Sequence, residues 1–423
     1  MQNEFIYGRS RLQVTLPDEW LGEVVHPRPV VPVADATVLI AAALADPTGA
    51  PPLAHLVRPG QSVAIIVDDH TRRTPIQRIL PPVLAQLELA GVAREQICLV
   101  VALGTHRPMT RAEIVAKVGP QVAARYEIVN VPCTAHDQMV YMGTSANGIP
   151  AWVNRAVAEA DVRVGLGMIT PHMDAGYSGG AKIVLPGVCS EQTVNAFHTA
   201  SAYLPLNQLG RVESPIRESL EQFVAERVPL DFVVNVVITL DGQVAHCVAG
   251  HPVQAHRLGV EHARATFGAP VQRRYPIVVA NCAPYDVDLW QSMKGAFCGD
   301  LVAADGGTLV LVTAAPEGNS TYPLLPTYAG RTPSELKQEI EAGQAQDPKQ
   351  AVGGIQFGML KQRLHLVLVS EGLKQQDADA MGIAYCDSVE GAVVGAVEQL
   401  SPAERMGSVA IILQAGIVLP LAE

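Results

Sequence analysis

Apolar runs of six or seven residues alternate with polar loops and helical segments along much of the chain. The runs 62–67, 97–102 and 162–168 are each followed by a polar or glycine-rich loop. Short apolar runs that alternate with helical segments are typical of buried parallel strands. The pattern therefore predicts an α/β fold with a largely parallel sheet flanked by helices. It also predicts helical segments over residues 151–160 and 190–230 and a strand over residues 231–240.

A second alternating series begins after the turn FGAPVQRRYP. Its predicted strands cover residues 277–281, 308–313, 364–369, 382–385 and 409–413. A chain of 423 residues is long enough for two or three domains. We therefore predict an N-terminal domain over residues 1–268 and a C-terminal domain over residues 269–423, each built on a largely parallel sheet.

Composition and charge narrow the class of protein. Hydrophobic residues make up 48% of the chain and charged residues 17%, which is typical of a globular protein. The net charge of −11 argues against a general nucleic-acid binder, because that role requires a basic face. The seven cysteines form no C-x-x-C pair, and no stretch approaches the roughly 20 apolar residues of a membrane span. We expect a soluble, cytoplasmic enzyme that binds neither nucleic acid nor a membrane.

Three polar loops follow the apolar runs of the first series. They cover residues 68–75, 104–110 and 170–182. Because ligands of open parallel sheets bind at the carboxyl ends of the strands, we expect the three loops to meet on one rim. In the first loop, Asp69 is suited to binding ribose hydroxyls and Arg72 to holding a carboxylate in a bidentate fork. A solvated charge cluster is the alternative for that loop.

His106 and His172 occupy comparable positions in the second and third loops. Histidine titrates near neutral pH, so each is suited to proton transfer, although a single loop histidine is more often structural. Two such bases in one site could remove and return a proton on opposite faces of one carbon. Such a reaction would be that of a racemase or an epimerase.

The third loop is rich in glycine. Ser178, Gly179 and Gly180 precede Lys182, and such a run lets the backbone approach a ligand and offer N–H groups to an anion. Lys182 lies where the loop enters an apolar run, and a lysine of restricted solvation can serve as a nucleophile or covalent anchor. The run does not match the P-loop motif, and no G-x-G-x-x-G follows the first strand. An ordinary loop with a solvated lysine is the alternative.

Two predicted helices carry further candidates. His198 has no second histidine close by in sequence, so a metal ion held by three protein side chains would need ligands from distant loops. Gln291 and Lys294 are three residues apart and share one helix face, from which they could hold a substrate carboxylate across a cleft. A packed histidine and an amphipathic surface pair are the alternatives.

These motifs together resemble the nickel-dependent lactate racemase family. The matching segments are DDHTR, GTHR, PH-x5-SGGAK-x3-PG, the helix histidine and YDVDLWQSMKG, in this order as far as residue 295. The resemblance implies a two-domain fold with the active site in the interdomain cleft. It also implies an isomerase that racemises or epimerises a small 2-hydroxy acid at C2.

The resemblance implies an unusual cofactor, the nickel-pincer nucleotide, which is a pyridinium-3,5-bisthiocarboxylic acid mononucleotide with nickel. Lys182 would carry it covalently through a thioamide. His198 would be the one protein ligand of the nickel, whose other ligands are two sulfurs and one carbon of the pincer. Asp69 and residues 178–180 would contact the cofactor, and proteins of cofactor biosynthesis would load it.

The same resemblance implies roles for the remaining candidates. His106 and His172 would form an alternating acid–base pair, while the α-hydrogen leaves as hydride to the pincer and returns on the other face. Arg72, Gln291 and Lys294 would orient the substrate carboxylate.

The sequence leaves the substrate and two alternative functions open. Lactate racemase has tyrosine where this chain has Trp290, and this chain has no tryptophan after it, so the pocket wall differs. The acid is therefore open among lactate, malate and larger acids. An NAD-dependent 2-hydroxy acid dehydrogenase and a non-catalytic nickel-nucleotide binding protein are the alternative functions. A homo-oligomer is one of the open assembly states.

Overall fold

Two six-stranded sheets form the framework of the protein. The structure is a computed structural model that describes residues 2–30, 35–319 and 321–422. The elements up to residue 158 are β1 (Gln2–Tyr7), β2 (Ser10–Thr15), β3 (Leu21–Val25), α1 (Ala36–Ala45), α2 (Leu53–Leu56), β4 (Val63–Asp68), α3 (Ile76–Leu89), β5 (Ile97–Ala102), α4 (Arg111–Val118), α5 (Pro120–Arg125), β6 (Glu127–Val129), β7 (Met139–Thr144), β8 (Pro150–Asn154) and α6 (Arg155–Ala158). Those that follow, up to residue 302, are β9 (Val162–Met168), β10 (Pro171–His172), β11 (Gly176–Tyr177), α7 (Glu191–Ser201), α8 (Pro215–Arg227), β12 (Phe232–Ile238), β13 (Val244–Gly250), α9 (Gln254–Phe267), β14 (Gly268–Val271), β15 (Tyr275–Asn281) and α10 (Leu289–Val302). The remaining elements are β16 (Ala303–Thr313), α11 (Leu325–Gly330), α12 (Pro333–Glu341), α13 (Pro348–Arg363), β17 (His365–Ser370), α14 (Gln375–Met381), β18 (Ala384–Tyr385), α15 (Val389–Glu398), β19 (Val409–Ile412) and β20 (Leu419–Ala422).

The first sheet has the strand order β13-β12-β9-β4-β5-β6. Its neighbouring strands are parallel except for the antiparallel pair of β12 and β13. Every residue of the central strand β4 is buried, as its unbroken apolar sequence predicts for a strand covered on both faces. The chain runs outward from β4 to β6 and then returns to β9 on the other side of β4, so its order reverses between β4 and β9.

The second sheet is fully parallel, with the order β18-β17-β16-β15-β19-β3. The α/β fold with largely parallel sheets is therefore confirmed. Strand β3 comes from the first residues of the chain, yet it pairs with β19, with Glu23 opposite Ala410. The hairpin of β1 and β2 also packs here, because Phe5 and Val14 share a core with Ile277. The limits 1–268 and 269–423 remain predictions, but residues 21–25 lie in the second sheet and not in the first.

Large hydrophobic clusters cover both faces of each sheet. The clusters also join the two halves of the chain. Ile417 and Leu419 from the end of the chain pack into a cluster of the first sheet, and Met173 packs into a cluster of the second. Among the described residues, none of the helices combines the length and the apolar character that crossing a membrane requires.

Three segments differ from the sequence-based expectation. The helix predicted over residues 151–160 is replaced by β8 and the single turn α6, since alternate residues of β8 are buried in a hairpin with β7. The helical segment predicted over residues 190–230 is two helices, and α8 starts afresh at Pro215 behind the capping side chain of Ser214. Strand β13 was not predicted; it pairs antiparallel with β12.

Candidate active site

The candidate site lies at the carboxyl ends of strands in both sheets. The reversal of strand order between β4 and β9 creates the crevice in which open parallel sheets bind ligands. The loops after β4, β5 and β9 meet there, as the sequence predicted. Helix α10, which follows β15 of the second sheet, contributes side chains to the same space. The space is therefore bounded by both halves of the chain.

Two adjoining cavities occupy the crevice. The first has a volume of about 80 Å³, and the predicted site residues that line it are Asp69, Arg72, His106, Ser178, Gly179 and Lys182. The second has a volume of about 70 Å³, and the predicted site residues that line it are Arg72, His106, His172, Lys182, His198, Gln291 and Lys294. Of the predicted site residues, Gly180 lines neither cavity; its N–H donates to Asn235 Oδ1 at 2.8 Å.

His106 has a partner on each ring nitrogen. Its Nδ1 lies 2.6 Å from Asp69 Oδ2, and its Nε2 lies 2.9 Å from the amide nitrogen of Gln291. Burial by itself would raise the pKa of Asp69, but the charges of His106 and Arg72 lower the pKa of this carboxyl below its usual value. Because Asp69 is a carboxylate, Nδ1 carries the proton of the neutral imidazole and Nε2 is left as the base. Burial lowers the pKa of His106, and the Asp69 charge opposes that shift.

Asp69 therefore has a role that the sequence did not indicate. Both of its oxygens are engaged, because Oδ1 accepts hydrogen bonds from the backbone N–H and the hydroxyl of Thr71, at 3.1 and 2.6 Å. The Arg72 guanidinium donates to the same Thr71 hydroxyl at 2.6 Å. The first two polar loops thus form one hydrogen-bonded unit around the imidazole of His106.

Gln291 and Lys294 enter the site from the start of α10. Lys294 Nζ donates to Gln291 Oε1 at 2.6 Å, so the Gln291 amide nitrogen is directed toward His106. The same ammonium lies 3.7 Å from the centre of the Tyr285 ring. Burial, followed by the charge of Arg72, lowers the pKa of Lys294 well below its usual value. The chain of hydrogen bonds from Lys294 to His106 connects the second sheet to the first through the site.

His172 is held by backbone N–H groups and not by a carboxylate. It belongs to the two-residue strand β10, which pairs with β11 in a short hairpin. Its Nδ1 accepts hydrogen bonds from the N–H groups of Asp174 and Ala175, at 3.2 and 3.4 Å. The neutral imidazole therefore carries its proton on Nε2. Burial, followed by the charge of Lys182, lowers the pKa of His172 well below its usual value.

Lys182 lines both cavities. It lies in the 3-10 turn Gly180–Ile183. Its Nζ forms neither a hydrogen bond nor an ion pair with any residue that the structure describes. Burial, followed by the charge of Arg72, lowers the pKa of Lys182 to about 7. A large fraction of this amine is therefore neutral near neutral pH, which is the form that acts as a nucleophile.

The two glycines before Lys182 adopt backbone angles that would be strained for other residues. Gly179 and Gly180 have φ angles of 78° and 58°. A Cβ atom on Gly179 would lie 2.7 Å from the side chain of Ile169, and one on Gly180 would lie 3.0 Å from the ring of His256. The glycines thus let the loop lie close against its support.

A buried guanidinium and a hydroxyl hold this loop in place. Ser178 Oγ donates to the carbonyl of Met168 at 2.9 Å and accepts from the N–H of Thr170 at 2.9 Å, so it ties the loop to the end of β9. The side chain of Arg217 is fully buried beneath the loop. It donates to the loop carbonyls of Ala175, Tyr177 and Gly179. The side chain of Ser178, which the sequence assigned to the cofactor, is thus engaged within the protein.

His198 faces the second cavity from α7. Its ring packs edge-on against Phe197, with the ring centres 5.4 Å apart, and its ring nitrogens have no hydrogen-bond partner among the described residues. Burial, followed by the charge of Lys349, lowers the pKa of His198 to about 3, so the imidazole is a neutral ligand. Within residues 2–30, 35–319 and 321–422, no three His, Cys, Asp or Glu side chains are placed together to hold a metal ion.

Lys349, on the first turn of α13, was missed from the sequence. Its side chain is 4% exposed and lines the second cavity beside Trp290. Burial lowers the pKa of Lys349 to about 7, a shift that the charge of Asp347 opposes. The segment DPKQAV signals a helix start through the capping Asp347 and the following proline, but nothing in it indicates that the lysine is buried.

The arrangement combines three chemical capacities in one enclosed space. Its lysines and arginine favour an anionic small molecule. Two imidazoles, with different protonated nitrogens, can exchange protons with that molecule. A lysine with a lowered pKa can form a covalent bond to a bound group.

Residues 7–210 match the family described as the lactate racemase N-terminal domain. The lactate racemase of Thermoanaerobacterium thermosaccharolyticum is 29% identical over 322 residues, which are 75% of each chain. The lactate racemase of Lactiplantibacillus plantarum is 32% identical over 281 residues, which are 65% of each chain.

Two solved structures have the same fold. The lactate racemase apoprotein from Thermoanaerobacterium thermosaccharolyticum covers 100% of both chains, with a TM-score of 0.86 and 24% identity. A protein from Thermotoga maritima covers 92% of this chain and 97% of its own, with a TM-score of 0.70 and 19% identity.

Proposed function

The chain belongs to the lactate racemase family as an isomerase of the racemase class, and we propose that it inverts C2 of a 2-hydroxy acid. The observation that carries this proposal is the placement of His106 and His172 on one cavity with Lys182 and His198. A dehydrogenase needs one acid–base residue, whereas inversion at a carbon is served by two. The site contains two.

The described residues fit the cofactor that the family resemblance implies. We propose that Lys182 carries the nickel-pincer nucleotide and that His198 is the protein ligand of its nickel. Lys182 offers an amine that has no hydrogen-bond or ion-pair partner in the described part of the chain, and His198 offers a neutral imidazole. Since no set of three protein ligands occurs among the described residues, the other donors would have to come from the cofactor. When bound, this group would supply the hydride-accepting chemistry at the α-carbon.

The remaining cofactor contacts are proposed on the first cavity. Asp69, Ser178 and Gly179 line this cavity, and Gly180 sets the path of the adjoining turn. The Ser178 hydroxyl and both oxygens of Asp69 already have internal partners. We therefore propose that these residues shape the cofactor site mainly through the position of the loop and of His106.

The substrate carboxylate is proposed to bind at Arg72, Gln291 and Lys294. All three side chains line the second cavity, and two of them are cations that can form charge-assisted hydrogen bonds. The Gln291 amide, which contacts His106 Nε2 in the structure, would exchange that contact for the substrate. Binding would thereby free the nitrogen that takes the proton.

Proton transfer at the 2-hydroxyl is proposed for the two histidines. His106 Nε2 is prepared to accept the hydroxyl proton, because Asp69 holds the other proton on Nδ1. His172, when protonated on both ring nitrogens, would return a proton to the oxygen after the keto acid has turned within the site, and the proton taken from the hydroxyl would then rest on His106. None of the residues that line this cavity is exposed, which would limit the access of water to the keto acid between the two steps.

Two further proposals concern the loading of the cofactor and the location of the protein in the cell. Cofactor biosynthesis proteins would load the pincer, because the chain itself would supply only the anchoring lysine and one nickel ligand. A cytoplasmic location is proposed from the seven free cysteines, which indicate a reducing compartment.

The decisive experiment combines mass spectrometry with an assay. The protein would be co-expressed with a pincer-synthesising system, its intact mass measured, and inversion followed from pure enantiomers of a panel of 2-hydroxy acids. We expect a cofactor adduct in the wild type and no adduct in Lys182→Ala. The matched control is Lys361→Ala, whose ammonium binds the carbonyl of Met381 away from the site.

Three outcomes would overturn parts of the proposal. An adduct that persists in Lys182→Ala would remove the tether. Production of 2-keto acid with stoichiometric reduction of NAD would assign a dehydrogenase. A loaded protein that inverts no acid of the panel would indicate a binding protein and not an enzyme.

A further inference from the structure

Lys349 adds a positive charge to the cavity that is lined by His106, His172 and Lys294. It comes from α13 of the second half of the chain, whereas Gln291 and Lys294 come from α10. Its side chain is 4% exposed, so the charge lies within the site and not on the surface. The position is distinct from the residues proposed to hold the substrate carboxylate.

The Lys349 ammonium has no anionic partner among the described residues. Its Nζ donates to the hydroxyl of Thr105. The same atom lies 4.3 Å from the centre of a Trp290 ring and 3.9 Å from the centre of the Tyr322 ring. A hydroxyl and two aromatic faces solvate a cation without contributing a negative charge, and the carboxyl groups of Asp347, Asp288 and Asp174 act on it only from beyond ion-pair distance. A buried charge without a counter-ion is costly, which is why burial lowers the pKa of Lys349, and an anionic ligand that enters the cavity would favour the charged form.

The location of Lys349 distinguishes between two anionic ligands. The cavity beside the glycine-rich loop, where nucleotide phosphates would be expected, is not lined by Lys349. The cavity that Lys349 lines contains both proposed acid–base histidines and the proposed carboxylate-binding pair, together with Lys182 and His198, which would hold the pincer. Because the nucleotide phosphate is expected in the other cavity, the anionic group that meets Lys349 is expected on the substrate.

The aromatic residues around Lys349 pack against each other and against the ammonium. Trp290 and Tyr322 stack on each other, with their ring centres 4.8 Å apart, and both contact the ammonium. The backbone of α13 also closes on the indole, since a Cβ atom at Gly353 would lie 2.7 Å from the Trp290 ring. Of these three side chains, only Lys349 can carry a charge.

We propose that Lys349 binds a second acidic group of the substrate, so that the preferred substrates are 2-hydroxy dicarboxylic acids. The first carboxylate would lie at Arg72 and Lys294, and the distal one at Lys349 and Thr105. This inference rests on the proposed function, because it assigns the substrate class of the same site.

The first test is a substrate comparison with the cofactor-loaded wild type. Inversion would be measured for lactate and 2-hydroxybutyrate, and for malate and 2-hydroxyglutarate. We expect kcat/KM to be higher for the dicarboxylates by on the order of 10- to 100-fold, the range that one charge-assisted hydrogen bond supports. Activity on monocarboxylates with equal or lower activity on dicarboxylates would overturn the inference and leave the proposed function intact. No inversion of any acid would contradict the proposed function itself.

The second test replaces the charge and keeps the length of the side chain. Lys349→Met is expected to lower kcat/KM for the dicarboxylates by roughly 10- to 100-fold more than kcat/KM for 2-hydroxybutyrate. Lys361→Met, on the same helix but bound to the carbonyl of Met381, is the matched control and should change neither value. Lys349→Arg retains the charge and should recover part of the dicarboxylate preference.

Binding and loading provide independent readouts. Calorimetric titration with malate should lose affinity in Lys349→Met, whereas titration with lactate should not. The nickel content and the intact mass of the loaded variant should equal those of the wild type. An equal loss for all four acids, or a fall in nickel content, would assign Lys349 to the fold or the cofactor and overturn the inference.

Discussion

The loops that carry His106 and His172 flank the central strand β4, one after β5 and the other after β9, yet they hold the two imidazoles in opposite ways. His106 Nδ1 donates to the Asp69 carboxylate, which leaves a lone pair on Nε2. His172 Nδ1 accepts hydrogen bonds from two backbone N–H groups, which leaves a proton on Nε2. The position of a histidine in a site therefore does not determine its protonation; the partner of the distal nitrogen does.

The electrostatic surroundings increase this difference. Burial lowers the pKa of both imidazoles, but only His106 has a carboxylate beside it that opposes the shift. His172 meets the positive charges of Lys182, Lys294 and Arg72 instead. To accept a proton at Nε2, His172 must hold its other proton on Nδ1 and give up two hydrogen bonds. Giving up those bonds leaves two backbone N–H groups facing the Nδ1 proton, so the change carries an energetic cost that His106 does not meet.

The largest expected effect comes from removing either histidine. We expect His106→Ala and His172→Ala each to lower steady-state inversion by roughly 10²- to 10⁴-fold, the usual contribution of a positioned acid or base. Enantiomers have equal free energies, so kcat/KM must be the same from both. Single-turnover formation of keto acid can differ, and each variant should keep it with one enantiomer only.

The control for these variants is His365→Ala, because His365 is exposed at the start of β17. It should leave all rates unchanged. If either active-site variant retained keto acid formation from both enantiomers, the two histidines would not serve opposite faces, and the comparison between them would lose its functional meaning.

A second prediction breaks the support of one loop only. Arg217→Met removes the hydrogen bonds to the carbonyls of Ala175, Tyr177 and Gly179. Because buried carbonyls without donors are costly, we expect about 2–4 kcal/mol of destabilisation. Hydrogen exchange should increase in residues 172–180 and remain unchanged around His106. Equal increases in both loops would show that the two supports are not independent.

Arg257→Met is the matched control, because Arg217 and Arg257 both pair with Glu221 but Arg257 is more exposed. Denaturant unfolding of both variants should give the larger loss for Arg217→Met. A surface ion pair contributes only about 0–1 kcal/mol, which sets the scale expected for the control.

A third prediction removes the carboxylate that distinguishes His106. Asp69 raises the pKa of His106, so Asp69→Asn should lower that pKa and weaken the base. The acidic limb of the pH profile of kcat/KM should move to lower pH, and kcat should fall by roughly 10- to 100-fold. The exposed Asp379→Asn should alter neither. A limb that stays in place would mean that a group other than His106 determines it.

Sequence patterns predicted the sheets and the convergence of the loops for a physical reason. Strands buried on both faces are continuously apolar, as in β4, and parallel strands present their following loops at one edge. Nothing in the short segment LGEVV of β3 specifies that its partner is β19, almost four hundred residues later in the chain. Partner choice in such a case depends on tertiary packing, which local patterns do not encode.

Two features of the candidate site also lay beyond sequence reasoning. Asp69 and His106 are 37 residues apart and meet only because β4 and β5 are neighbours. Lys349 is a first-turn lysine like many surface lysines, and its burial depends on Trp290 and Tyr322 from other elements. Residue types were readable from the sequence, whereas the partners that set their protonation were not.

The smallest expected effect concerns how closely the His172 loop packs on its support. Gly180 has a φ of 58°, and a Cβ atom there would lie 3.0 Å from the His256 ring, so Gly180→Ala combines backbone strain with a contact. Gly343 has a φ of 67° and no atom within 4 Å of its Cβ position, so Gly343→Ala carries the strain alone. The strain costs about 1–2 kcal/mol in either variant. Denaturant unfolding should therefore show a further loss of about 1 kcal/mol for Gly180→Ala, from overpacking. Equal losses would mean that His256 yields freely, and the loop that carries His172 would then be less firmly held than the Asp69–His106 pair.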